Sequence, residues 1–207
     1  MKSVNAPFFL RWLSPRYLVC DLQGDGNVIY LTFDDGPIPE ATPEILAILD
    51  RYGVKATFFM VGDNVKKNPE IFAQVKQGNH AIGNHTFHHL NGWKTPPGAY
   101  IEDVARCEPY FTTKLFRPPY GRFSPSQYLL LHKQYRFILW SVLTWDFDRN
   151  TSPEACLHYA LENTKAGSVV VFHDSIKSIE KVRFALPGFL EHFLSLGFRF
   201  ETIPEQP

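Results

Sequence analysis

Four times in this chain a short polar residue, a proline and an acidic or polar residue open an apolar pattern of helical spacing. They are Thr42-Pro43-Glu44, Asn68-Pro69-Glu70, Ser124-Pro125-Ser126-Gln127 and Ser152-Pro153-Glu154. Proline fits the first helical position because its missing N–H has no helical partner there and its φ is already near the helical value. The residue before it can cap the helix, and Ser124 with Gln127 has the capping-box form. Gly53, Gly78 and Gly167 then mark helix ends. Between these helices lie apolar, β-branched or aromatic runs at 28–33, 56–61, 80–83, 115–116, 136–142, 168–172 and 198–203. Further helices are expected over 100–113 and 187–196. About seven strands alternating with helices predict a parallel α/β architecture. Asp34-Asp35, His85, Arg117, Asp146 and His173 each fall just after a predicted strand, the face on which barrel enzymes assemble their sites. No G-x-G-x-x-G fingerprint argues for a dinucleotide fold.

The chain has 207 residues, enough for one domain with a core of its own. The first 27 residues lack periodicity and are expected to form an arm packed on that domain. Lys and Arg balance Asp and Glu at 21 each, so no basic footprint for nucleic acid and no polybasic membrane anchor is present. Arg11, Pro15 and Arg16 interrupt the apolar patches near the start, which argues against a signal-peptide core and against stable membrane insertion. A full-length chain of this kind is expected in the cytoplasm, and an exported one if a leader was trimmed. Cys20, Cys107 and Cys156 are odd in number and far apart, as expected of buried free thiols. The sequence leaves the oligomeric state open.

Five stretches carry chemistry. Thr32-Phe33-Asp34-Asp35-Gly36-Pro37 runs a strand into two adjacent carboxylates, which repel unless a cation or a shared proton relieves them. The same residues are compatible with a turn in which one acid caps the next helix. In Gly83-Asn84-His85-Thr86-Phe87-His88-His89, His85 and His89 face the same side if the segment makes one helical turn, a spacing that suits two imidazoles on one metal. With one Asp they make three ligands and leave a position open, the form of a catalytic zinc site. His80, His132, His158 and His192 read as structural or surface residues.

In Arg117-Pro118-Pro119-Tyr120-Gly121-Arg122 the guanidinium can pin a carboxylate bidentately, and the prolines can aim the Tyr120 amide N–H at a developing oxyanion. In Trp140-Ser141-Val142-Leu143-Thr144-Trp145-Asp146-Phe147-Asp148, Trp140 reads as core, while Trp145 and Phe147 lie past the strand and suit a pocket wall. Val169-Val170-Val171-Phe172-His173-Asp174 delivers one histidine to the same face, where proton transfer is its expected role.

In this order the five motifs resemble those of the NodB-type polysaccharide deacetylases, carbohydrate esterase family four, over residues 31–175. The resemblance implies a distorted (β/α) barrel with fewer than eight strands and a single catalytic domain over 1–207. It implies removal of N-acetyl groups from amino sugars of an oligo- or polysaccharide, with a divalent metal, zinc first and cobalt, manganese or nickel next. By the same resemblance Asp34 is the general base, and Asp35, His85 and His89 are the metal ligands. Arg117 orients Asp34, and the Tyr120 N–H helps to stabilise the oxyanion. His173 is the general acid, its protonation set by Asp146, and Phe172 with neighbouring aromatics lines the acyl pocket.

The departures fall mainly in the fourth motif, where Leu143 replaces the usual Asp and Phe147 the usual Trp; Val171 replaces Leu in the fifth. They put the tuning of His173 in question and remove no ligand, base or acid. Two other readings are a hydrolase of a different non-peptide C–N bond and a catalytically silent glycan-binding protein. The complete Asp-His-His set weighs against the former, and intact Asp34 and His173 against the latter.

Overall fold

The computed structural model describes residues 18–22 and 26–206, so most of the expected arm, 1–17 and 23–25, lies outside the described residues. The strands are β1 (Leu18–Val19), β2 (Val28–Asp34), β3 (Thr57–Met60), β4 (Ala81–Asn84), β5 (Leu115–Phe116), β6 (Arg136–Ile138), β7 (Val142–Leu143), β8 (Val169–His173) and β9 (Arg199–Phe200). The α-helices are α1 (Thr42–Arg51), α2 (Gly62–Lys67), α3 (Pro69–Gln77), α4 (Pro97–Ala105), α5 (Pro125–Leu131), α6 (Pro153–Asn163) and α7 (Ile179–Ser195).

The strands pair in the order β1-β6-β5-β4-β3-β2-β8-β7, with β9 beside the first residues of β2, and every pairing between them is parallel. The sheet curls into a distorted (β/α) barrel, and its seam is crossed by the chain itself. Leu139 N donates to Val19 O at 2.7 Å on one edge, and Ser141 N donates to Val169 O at 3.1 Å on the other. Here the expected strand 136–142 divides in two, because Trp140-Ser141 carries the chain from one edge of the sheet to the other. That division and β1 account for nine described strands against about seven expected.

Alternation along each strand sorts side chains between two environments. Ile29, Leu31 and Phe33 of β2, Phe58 and Met60 of β3, and Val170 and Phe172 of β8 pack outward among the helices with Ile45, Val182, Leu186 and Phe189. Val28, Tyr30, Phe59 and Val169 fill the inside. The helix starts follow the proline signals with one difference. Ser124 and Ser152 cap their helices, accepting from Gln127 N and Ala155 N at 3.2 Å each. Thr42 and Asn68 instead turn to the loops after β2 and β8, Thr42 Oγ1 accepting from Ile38 N at 2.8 Å. Thr42 Oγ1 donates to Asp174 Oδ2 at 2.6 Å, and Asn68 Nδ2 donates to Pro37 O at 3.1 Å. Two helix-start signals are therefore also supports for the acidic loop. The expected helix 100–113 begins at Pro97 and ends at Ala105, and α7 begins well before Pro187, which sits inside it. Among the described residues no helix is long and apolar enough to cross a membrane. Cys20, Cys107 and Cys156 are buried.

Candidate active site

At the end of β2, Asp34 continues the alternation and points inward, while Asp35 adopts φ 89° and turns the next carboxylate to the rim. Asp174 holds this turn. Its Oδ1 accepts Gly36 N–H at 2.8 Å, its Oδ2 accepts the Thr42 hydroxyl, and its own N–H donates to Asp34 O at 3.0 Å. A Cβ on Gly36 would lie 1.8 Å from Asp174 Oδ2, so only glycine allows the contact. Burial pushes the Asp174 carboxyl up, to about 8; the Thr42 hydroxyl opposes this and the charge of Asp35 adds to it.

Arg117, fully buried at the end of β5, is the inner anchor. Its Nη1 donates to Asp34 Oδ1 at 2.6 Å and to Thr32 Oγ1 at 2.8 Å, while Nε and Nη2 donate to Ile138 O and Leu139 O. The guanidinium stacks on Phe59 at 4.1 Å. It therefore grips Asp34 at one point rather than bidentately, because its other donors satisfy carbonyls where the chain crosses the seam.

His85 and His89 do converge on Asp35, by a route the spacing did not foretell. The segment is not a helical turn; left-handed residues at Thr86 (φ 63°) and His89 (φ 55°) fold it back. His89 Nε2 lies 3.2 Å and His85 Nε2 4.0 Å from Asp35 Oδ1, and one ligand atom from each residue falls within 4.8 Å of the others. His85 Nδ1 donates to Arg117 O at 2.7 Å, the acceptor-only carbonyl fixing the tautomer that leaves the Nε2 lone pair free. Burial pushes this imidazole down, to about 4, so it stands neutral. Burial would raise Asp35, but His89, His173 and His85 outweigh it and hold the carboxyl well below its usual range. Two imidazole nitrogens, one carboxylate and an open side fit a divalent cation of the zinc type.

Asp35, His89, Tyr120 and Trp145 all have positive φ at this rim. Such backbone costs of order 1–3 kcal/mol per non-glycine residue and gathers where a site is shaped. Tyr120, 58% exposed, sets its ring edge-on to His89 at 4.8 Å. The hydrogen bonds of its turn run from Gly121 N and Arg122 N to Pro118 O and Pro119 O, leaving the Tyr120 N–H outside them.

Across the rim Asp146, fully buried, accepts from both His173 N at 2.6 Å and His173 Nδ1 at 2.7 Å. Burial alone would lower His173; the charge and hydrogen bond of Asp146, with Asp35 and Asp34 behind, raise it instead to about 9. Asp146 holds His173 by its main-chain N–H and by its ring without an acid at 143, where Leu143 is only half-buried in β7. The Phe147 ring packs edge-on to His173 at 5.0 Å and beside Trp145 at 5.4 Å. Phe172 is not at the site. It is fully buried between Phe33 and Phe189, because strand alternation sends it to the opposite face from His173.

A cavity of about 350 Å³ opens beside Asp35 and His89. His88, Asp63, Asn64 and Lys177 line it together with Tyr120. None of those four belongs to a signal legible in the sequence. His88 looked like one histidine in a cluster, and Asp63 and Asn64 sit on the short helix α2, which periodicity could not detect.

A parallel barrel with a two-imidazole, one-carboxylate centre at its C-terminal rim defines a class of (β/α)-barrel protein with a group that could hold a cation. Comparison with known proteins narrows this. The polysaccharide deacetylase profile matches residues 21–137. A peptidoglycan-N-acetylglucosamine deacetylase of Bacillus cereus is 32% identical over 91% of this chain and 92% of its own. A chitooligosaccharide deacetylase of Azorhizobium caulinodans is 33% identical over 77% of this chain and 80% of its own. The crystal structure of a peptidoglycan N-acetylglucosamine deacetylase in complex with 4-naphthalen-1-yl-N-oxidanyl-benzamide superposes with a TM-score of 0.89, at 31% identity over 97% of this chain and 96% of that one. The chain belongs to the polysaccharide deacetylase family.

Proposed function

We propose that this protein is a metal-dependent hydrolase that removes N-acetyl groups from amino sugars of an oligo- or polysaccharide, acting as one catalytic domain over residues 1–207. The observation that supports the reading is three groups that follow neighbouring strands at one end of the barrel. These are the Asp35–His85–His89 triangle, the Arg117-held carboxylate of Asp34 and the Asp146-held imidazole of His173.

Asp35, His85 and His89 would hold the divalent cation, zinc first, with cobalt, manganese or nickel suited to the same donors. When bound, it supplies Lewis-acid polarisation of the acetamide carbonyl and of a water. Asp34, with Oδ1 pinned by Arg117, keeps its second oxygen to take the proton of the attacking water. The Tyr120 N–H donates to the oxygen on which negative charge develops. His173 in its protonated form gives a proton to the nitrogen as the C–N bond breaks, so an amine leaves and not an amide anion. Proton donation of this kind contributes roughly 10²–10⁴-fold. Trp145 and Phe147 bound the acetyl side beside His173.

Acetate release from N-acetylglucosamine oligomers tests the reading. Stoichiometric acetate and amine are expected; sugar binding with no acetate from any acetylated glycan would establish the silent alternative. The pH profile gives a second expectation. A raised imidazolium pKa means the acid form is present below that pKa and lost as pH rises through it, so kcat should fall on the alkaline side. A cation on Asp35 offsets part of the field that holds His173 near 9, leaving Asp146 as the main support. Asp146→Asn should therefore move the alkaline limb to lower pH by about one unit or more, as expected for losing a charged hydrogen-bond partner. An unmoved limb would remove His173 from the acid's role.

A further inference from the structure

We propose that the cavity between His89 and α2 is a binding subsite for a neutral sugar adjoining the unit that loses its acetyl group, with His88 as its hydrogen-bonding anchor; the inference rests on the deacetylase reading above. His88 stands next to a metal-site histidine but turns away from it. Asp103 of α4, 4% exposed, accepts from Phe87 N at 3.0 Å and His88 N at 2.9 Å through Oδ2, and meets His88 Nδ1 at 2.5 Å through Oδ1. An acceptor-only carboxylate takes the Nδ1–H, so Nε2 is the nitrogen left to face the cavity. The ring is half-exposed and lines the cavity, so a buried carboxylate fixes an imidazole whose outer edge faces open space. The rim thus holds a second Asp–His pair, across from Asp146–His173, and no chemical step above uses it.

The other walls indicate what fits. Asn64 spends its Nδ2 on Asp35 O at 2.7 Å, which leaves its Oδ1 as an acceptor, and Asp63 adds a carboxylate paired with Lys67. The one ammonium lining the cavity, Lys177, lies 3.8 Å from Asp35 Oδ2. These donors and acceptors suit the hydroxyls of a neutral sugar, which both donate and accept, whereas a sugar bearing a carboxylate would meet Asp63. The cavity, about 350 Å³ and continuous with Asp35, His89 and Tyr120, falls in the range of small-molecule sites, roughly 300–1,000 Å³.

The test compares N-acetylglucosamine with its tetramer in wild type, His88→Ala and His88→Gln. Loss of one neutral hydrogen bond should lower the tetramer-to-monomer ratio of kcat/KM in His88→Ala by about three- to tenfold, chiefly through KM. His88→Gln, which can donate to Asp103 and still present an oxygen, should restore most of that ratio. An unchanged ratio in His88→Ala, or an equal loss on both substrates, overturns the proposal in favour of a structural role for the pair. Calorimetric binding of the tetramer separates this from failure of the deacetylase reading. If wild type releases no acetate, that reading falls, while a similar fold-weakening of tetramer Kd in His88→Ala keeps the subsite and an equal Kd, or no binding, removes it. Tighter binding of a muramyl-containing tetramer than of the neutral one overturns the neutral assignment.

Discussion

Asp35→Ala is expected to abolish tight binding of one divalent cation per chain and to lower acetate release by about 10³-fold or more. The magnitude follows from the several kcal/mol of charge stabilisation that a bound cation supplies, at about 1.4 kcal/mol per tenfold in rate. Asp35 Oδ1 is the point on which both imidazoles converge, at 3.2 and 4.0 Å, so its removal takes the one carboxylate out of the ligand triangle. His85→Ala should have a similar effect, and the double variant should be little worse than either, because groups that act as a unit are not additive. Metal content after dialysis and initial rates check this together. A variant that keeps both its cation and its rate contradicts the ligand set.

Arg117→Met is expected to cost about 3–5 kcal/mol of stability, the range for leaving a buried charge without its partner. At about 2–4 °C per kcal/mol for a chain of this size, the melting temperature falls by roughly 6–20 °C. The guanidinium is fully buried and satisfies Asp34, Thr32 and the carbonyls of Ile138 and Leu139. Its loss exposes none of these to water. Much of the penalty is the stranded charge of Asp34, so adding Asp34→Asn to the Arg117→Met background should recover part of the stability while activity stays lost. Thermal melts of the single and double variants decide it. A double variant less stable than Arg117→Met alone would mean that Asp34 is not the group Arg117 neutralises.

The parts of this molecule that local chemistry dictates could be read before any coordinates. Proline-led helix starts, apolar runs and the acids and imidazoles that follow them placed Asp34, Asp35, His85, Arg117, Asp146 and His173 on one face, and the barrel gathers them there. Long-range geometry was beyond that reading. His85 and His89 meet through two left-handed residues and not a helical turn, which spacing alone does not encode. Phe172 was expected at the acyl pocket on the family resemblance, yet a period of two sends it to the opposite face from His173. Thr42 and Asn68 looked like ordinary caps because a cap's sequence signature is the same whether its side chain bonds its own helix or a distant loop. Asp174, 138 residues from the glycine it holds, and Asp103, 15 from the histidine it orients, act through contacts that only folding creates.

The central claim is that a cation at Asp35, His85 and His89 makes this barrel a deacetylase. The most direct measurement is acetate release from an N-acetylglucosamine oligomer by wild-type protein before chelation, after chelation and after adding zinc back. Activity that disappears with the metal and returns with about one equivalent of zinc per chain is the predicted result. Undiminished release from metal-free protein would contradict the account.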